Sequence, residues 1–272
     1  MHEHPLVGGI EAGGTKIVCA AGTGPGDLSR AVFPSGSDPA AALFAVTDWF
    51  REEETRRGPL HAIGIGSFGP VDLDPASPTY GFITSTPKTG WRNTDILGTV
   101  RRAFPALPVA FDTDVNAAAL GEQRWGAAAG LDDFVYITIG TGIGAGVMAG
   151  GHLVHGLVHP EMGHMRIPRI PGDTFEGVCP FHGDCWEGLC SGPAMKRRTG
   201  TPAEEISPDS SAWRFEARYV ALALGNIICA LSPRRIILGG SVPNGGLLGI
   251  ERFFKMVRAE VRDVLDGYIV SP

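Results

Sequence analysis

The chain has 272 residues, a formal net charge of -6, 43% hydrophobic and 19% charged residues. That length buries a sizeable core and accommodates one large domain or two lobes, and two lobes are the expectation. The mildly acidic balance excludes the basic patch that nucleic acid demands, the composition excludes disorder, and no run of about 18 uncharged apolar residues is present to span a membrane.

The opening "MHEHPLVGGI" has neither the basic flank nor the apolar run of a secretory leader, so a reducing cytoplasmic setting is expected. "LVGGIEAGGTKIVCAAG" reads as a β-hairpin with its tip at Gly13 and Gly14. "DPAAALFAVTDWFREEETRR" has helical periodicity and "LHAIGIGSFGPV" returns to strand. "TPKTGWRNTDILG" reads as loop, "LPVAFDTD" as a strand running into the helix "VNAAALGEQRWGAAA". "DDFVYITIGTGIGAGVMAGGHLV" then repeats the opening hairpin, a weak internal duplication that puts the lobe boundary near Asn116, with lobes 1–116 and 117–272. The stretch from Leu157 to Asp184 is irregular, so a long functional loop or a metal-ordered subdomain is expected there. The helix "SSAWRFEARYVALALGNIICALS", a buried-looking strand "RRIILGGSV" and the amphipathic helix "GIERFFKMVRAEVRDVLDGY" complete an α/β pattern.

Two of the glycine turns carry chemistry. Consecutive amides at "GGTK" (Gly13, Gly14, Thr15, Lys16) and "GTGIGAG" (Gly140 to Gly146) form anion-binding nests, and Thr hydroxyls add donors suited to phosphate. One such tip alone is an ordinary hairpin turn; two, with a third pair at Gly239 and Gly240, point to a nucleotide. There is no GxxxxGK[ST] motif, and "GIGSFG" matches GxGxxG but leads into "PVDLDP" rather than a helix, so P-loop and dinucleotide readings both fail. Asp114, at a strand-to-helix junction, reads either as a helix N-cap or as a general base at the carboxyl end of a strand.

Cys179, His182 and Cys185 fall at three-residue spacings in "GVCPFHGDC", and in a reducing compartment such a cluster reads as zinc rather than disulfide. "HPEMGH" is not HExxH, because Glu161 stands two residues after His159 and the Pro and Gly deny it a helix. His164 is the candidate fourth ligand, the alternative for the cluster being free thiols and surface histidines. With His164, two Cys and two His would close a tetrahedron and leave no position for water, so a structural metal is expected and a zinc hydrolase is not. Glu161 and Glu187 bracket the ligands and would face a polar ligand, although each taken alone reads as solvated surface.

In order, "EAGGTK", "TPKTGW", "DTDVNAAALGE", "GTGIGAG", "HPEMGH", "CPFHGDCWEGLCSGPA" and "LSPRRIILGG" resemble the ROK family of sugar kinases, and within it the bacterial fructokinases. The resemblance covers essentially the whole chain. It implies an actin/hexokinase-like (ribonuclease H-like) two-lobed α/β fold with a zinc-bound loop subdomain over 157–187, closing on ATP, Mg2+ and a hexose, and a homodimer. The implied reaction is ATP-dependent phosphorylation of D-fructose at its 6-hydroxyl, with Asp114 as base. The alternatives are a broader hexokinase acting on mannose or glucose and a silent sugar-binding protein. By motif position Glu11, Gly13, Gly14, Thr15, Lys16, Thr141, Gly142, Gly144, Gly239 and Gly240 would hold the nucleotide. Thr86, Gly90, Trp91, Asn93, Asp114, Glu161, His164 and Glu187 would line the sugar. His164, Cys179, His182 and Cys185 would be the zinc ligands. The family also contains repressors, but those carry a helix-turn-helix region that would stand ahead of the first hairpin. Two departures stand out: Glu11 occupies a position where the wider superfamily has Asp, and the sequence stops at "DGYIVSP" where relatives continue into a Gly/Ala-rich helix. The expectation is a truncated chain or a segment never present.

Overall fold

The computed structural model describes residues 5–269. The chain divides into two compact units, one running up to Gly121 together with His155–His159, and a second formed by Glu122–Val154 and the chain from Pro160 onward.

The first unit is built on β1 (Val7–Ala12), β2 (Lys16–Gly22), β3 (Leu28–Pro34), β4 (Ala62–Ser67) and β7 (Val109–Thr113), with a small pair β5 (Phe82–Ile83) and β6 (Thr94–Asp95). The sheet order is β3-β2-β1-β4-β7; β1 to β3 form an antiparallel meander, and β4 and β7 join parallel to β1. Helix α1 (Pro39–Arg57) starts where Asp38 accepts from the amides of Ala40 and Ala41, with Pro39 in its first turn. Its Leu43, Val46 and Phe50 repeat at helical spacing and bury against Ile10, Ile17 and Ile63.

The stretch "TPKTGWRNTDILG" is not loop throughout. Lys88 opens a 3-10 turn over Thr89–Trp91, β6 follows, and a helix α2 (Ile96–Ala103) that the sequence does not announce begins at once, capped by Asp95 on the amide of Gly98 at 2.7 Å. Helix α3 (Asp114–Trp125) leaves β7 without a break.

The second unit repeats the plan. Its sheet is β10-β9-β8-β11, from β8 (Phe134–Ile139), β9 (Ile143–Ala149), β10 (His152–Leu153) and β11 (Arg235–Gly239). Here β8 to β10 are antiparallel and β11 is parallel to β8, as β4 is to β1. The strand β11 departs from expectation. A Val/Ile-rich parallel strand reads as buried, yet β11 stands at the sheet edge among the described residues and none of its five residues is fully buried.

Short helices α4 (Trp186–Cys190) and α5 (Gly192–Thr199), also unannounced by the sequence, precede α6 (Ala212–Leu231) and α7 (Ile250–Leu265). Trp186, Trp213, Tyr219 and Phe253 fill this core, each worth about 2 to 3 kcal/mol of apolar burial. No helix of the described residues is long and apolar enough to cross a membrane.

Candidate active site and metal centre

In the first unit the carboxyl ends of the parallel strands carry the acidic groups. Asp114 is the first residue of α3, but it does not cap it. The Thr113 hydroxyl accepts from the Asn116 amide at 3.1 Å and takes that duty, while Asp114 Oδ1 accepts from the adjoining Val115 amide at 2.8 Å. Burial pushes the half-buried Asp114 carboxyl above its usual range, and the negative charge of Glu11 pushes it the same way. Gly66 makes this approach possible, because it pairs in register with Glu11 and a Cβ there would lie 3.2 Å from Asp114 Cα and 2.7 Å from Ala117 Cβ.

The first hairpin tip is closed by Gly13 N donating to the Lys16 carbonyl at 2.9 Å. Ser35 braces it, with its hydroxyl on the Gly13 carbonyl at 2.7 Å and its amide on the Thr15 carbonyl at 3.0 Å. Gly14, Thr15 and Lys16 are exposed there. Lys88, to which spacing within "TPKTGW" assigns no role, donates to the Gly14 carbonyl and lies 5.4 Å from the Trp91 ring centroid; burial lowers its ammonium pKa.

Three residues expected to line a sugar each have structural partners. Trp91 is fully buried, and its indole N–H donates to the carbonyls of Ser35 and Gly36. Thr86 is 1% exposed and its hydroxyl accepts from the Lys88 amide at 3.3 Å. Gly90 has no room for a side chain, since a Cβ would lie 2.2 Å from the Ser37 carbonyl oxygen. Asn93 is exposed with φ 58, in the left-handed region that Asn tolerates.

In the second unit three motifs converge on the second hairpin tip. Gly140 N donates to the Gly142 carbonyl at 2.9 Å, beside the exposed Thr141. From the "LGGS" turn, Val242 N donates to the Ile139 carbonyl at 3.0 Å, and Gly240, with φ 93, lies so close that a Cβ would be 2.4 Å from that oxygen. At the start of α5, Gly192 N donates to the Gly140 carbonyl at 2.7 Å. Glu187 is not simply a surface acid: its Oε2 accepts from the Ile143 amide at 2.9 Å and sits against Gly142, while Gly144 pairs with Thr138 in the β8–β9 ladder. Gly239 ends β11 against the Tyr136 ring.

His164, Cys179, His182 and Cys185 come together with all four donor atoms within 4.8 Å of one another. The two Nδ1 atoms are 3.3 Å apart; Cys179 Sγ lies 3.7 Å from each of them and Cys185 Sγ lies 3.5 Å from His164 Nδ1. A regular tetrahedron with metal bonds of about 2.3 Å to sulfur and about 2.05 Å to nitrogen has edges of about 3.3 Å between nitrogens and about 3.6 Å between nitrogen and sulfur. The donor set therefore fits a four-coordinate divalent ion. Burial pushes the Cys185 thiol up to about 11, and a cation would reverse this by holding the thiolate.

A tight turn pairing Cys179 with Gly183 sets the ligand spacing. His164 closes a 3-10 turn that begins after the exposed Glu161; no α-helix forms over "HPEMGH". That turn packs on β9 through Gly163, where a Cβ would lie 2.0 Å from the Ile143 carbonyl oxygen. The remainder of the loop is pinned by Asp173, which accepts from Arg198 at 2.7 and 3.0 Å and from the Tyr219 hydroxyl at 2.6 Å. Burial alone would raise the Asp173 carboxyl, but those bonds outweigh it and hold it at about 2.

Two α/β units with matching hairpins, an acid at a strand end and a Cys/His cluster describe a sugar kinase of the hexokinase-like class. The ROK family model matches residues 7–271, and the chain belongs to that family. The chain is 48% identical to a putative fructokinase of Bacillus subtilis (strain 168) over 97% of its own length and 85% of the relative's. Against a fructokinase of Pediococcus pentosaceus it is 43% identical, covering 98% of this chain and 89% of that one. The crystal structure of a ROK glucokinase from Streptomyces griseus, in complex with glucose and AMPPNP, matches with a TM-score of 0.74 at 27% identity, covering 96% of this chain and 90% of that one.

Proposed function

We propose that the protein transfers the γ-phosphoryl group of ATP to the 6-hydroxyl of D-fructose, giving fructose 6-phosphate and ADP. The observation that carries this reading is Asp114: a carboxylate at the carboxyl end of a parallel strand, relieved of helix capping by Thr113 and raised in pKa by burial and by Glu11. Fructose as the acceptor follows from the relatives named fructokinase. Asp114 takes the O6 proton as O6 bonds to the γ-phosphorus and the bond from phosphorus to the ADP oxygen breaks.

Phosphoryl transfer asks for positioning and charge stabilisation more than covalent chemistry. The amides of Gly13 to Lys16 and of Thr141 to Gly144 would hold phosphate oxygens, Gly239 and Gly240 would flank the nucleoside, and Glu11 would serve the Mg2+ that accompanies ATP and neutralises phosphate charge. Asn93, Glu161 and the Nε2 edge of His164 face the sugar, whereas Trp91, Thr86 and Gly90 shape the loop behind it. His164, Cys179, His182 and Cys185 would hold a zinc ion, and that cross-link would order residues 157–187. The working form is a cytoplasmic homodimer.

The test is turnover with MgATP on fructose, mannose, glucose and N-acetylmannosamine, with 31P NMR of the product and metal analysis alongside. The reading requires the highest kcat/KM on fructose, a 6-phosphate product and one zinc per chain. A folded, zinc-loaded protein that phosphorylates none of the four sugars contradicts it.

A further inference from the structure

Asp112 and Asn116 stand two residues before and two residues after Asp114, one on β7 and one in the first turn of α3. The Asp112 carboxylate is fully engaged. Its Oδ1 accepts from the Thr113 amide at 2.7 Å and from Asn116 Nδ2 at 2.7 Å, and its Oδ2 lies 2.9 Å from His155 Nε2. A carboxylate offers only acceptors, so the imidazole carries its proton on Nε2 and donates it to Oδ2. Asn116 is 1% exposed, and turning its amide nitrogen to Asp112 leaves its Oδ1 without a hydrogen-bond partner among the described residues. The amide is thus held one way round by Asp112 at the cost of a buried orphan acceptor.

His155 reaches this junction from an unusual place in the chain. The segment His155–His159 packs with the first unit while the chain on both sides of it belongs to the second. At its other end the Val71 amide donates to His159 Nε2 at 3.4 Å. The same segment runs on directly into Glu161 and His164.

We infer that His155 is a positioning residue for Asp114: through Asp112 and Asn116 it fixes the β7–α3 junction that aims the base. This rests on the reading of Asp114 as base. A base misplaced by a fraction of an ångström still lets substrate bind but slows proton transfer, so the loss falls on kcat and not on KM.

The experiment is steady-state kinetics on His155→Ala, Asp112→Asn, the double variant and His155→Gln, with a melting curve for each and Asp114→Asn alongside. Each single variant should lose about tenfold in kcat with both KM values within about twofold. The double variant should be no worse than the poorer single one, because both remove one interaction. His155→Gln, whose amide nitrogen reaches close to the Nε2 position, should recover most of the lost kcat. Wild-type kcat in His155→Ala beside a dead Asp114→Asn overturns the positioning role and leaves the base standing. Losses that multiply in the double variant overturn it too, as does a melting-point drop with raised KM and no rescue by Gln. Full turnover in Asp114→Asn overturns the base itself.

Discussion

Each unit presents a glycine-tipped hairpin, and the two tips are backed in opposite ways. After β1, the Lys88 ammonium rests on the Gly14 carbonyl; after β8, the Glu187 carboxylate rests on the Ile143 amide. The supports behind them differ as well. Lys88 belongs to a loop anchored by the buried Trp91, whereas Glu187 stands two residues beyond Cys185 in the cluster that fits a metal. Core packing does in the first unit what metal ligation is proposed to do in the second. The region from 157 to 184 is rich in Gly, Pro and His, and metal ligation would add a cross-link to the apolar anchors it does have, Met165, Ile167, Ile170 and Phe175.

The contrast breaks most visibly on removing each support. Chelation or Cys179→Ser should lower the melting temperature by on the order of 10 °C and release the chain from 160 to 187 to limited proteolysis, leaving the first unit's protection in hydrogen exchange intact. Trp91→Ala should cost about 4 kcal/mol by urea unfolding and produce the mirror pattern. Equal loosening of both units in either case would remove the distinction.

Sharper and smaller effects follow at the tips themselves. Glu187→Ala removes the acceptor on the Ile143 amide and should raise KM for ATP about tenfold. Lys88→Met keeps the apolar stem against Trp91 and should raise it only about threefold. Initial rates across ATP concentrations decide the ranking, and a larger effect at Lys88 would reverse it.

The smallest expected effect is on pH dependence. A base works ionised, so kcat should fall as pH drops through the raised pKa of Asp114, above the usual carboxylate value of about 3.9. Glu11→Gln removes a nearby like charge and should move that acid limb to lower pH. A limb that stays put or moves up would show that Glu11 does not act on Asp114 electrostatically.

What the sequence disclosed followed what is local. Both hairpin tips, α1, α3, α6 and α7, and three of the four cluster residues stand close in the chain, where spacing speaks directly. Helix α2 was hidden because it is 8 residues long and carries Gly98 in its first turn; only Asp95, Ile96, Leu97 and Val100 betray it. The strand β11 misled because an apolar run states what could be buried and not what covers it. Trp91 packs in the core of its loop, a role its letter does not disclose, because an aromatic in a motif loop serves packing and binding alike. Lys88, His155 and Asp112 were invisible for another reason. Each acts through a partner far along the chain, 43 residues apart for His155 and Asp112 and 74 for Lys88 and Gly14.

The most direct test of the account is Asp114→Asn, a change that keeps size and hydrogen bonding but removes the basic oxygen. Fructose binding by calorimetry should remain within a fewfold of the unmodified protein, while kcat for fructose 6-phosphate formation falls about a thousandfold. Undiminished turnover would contradict the assignment of Asp114 as the base on which the proposed reaction rests.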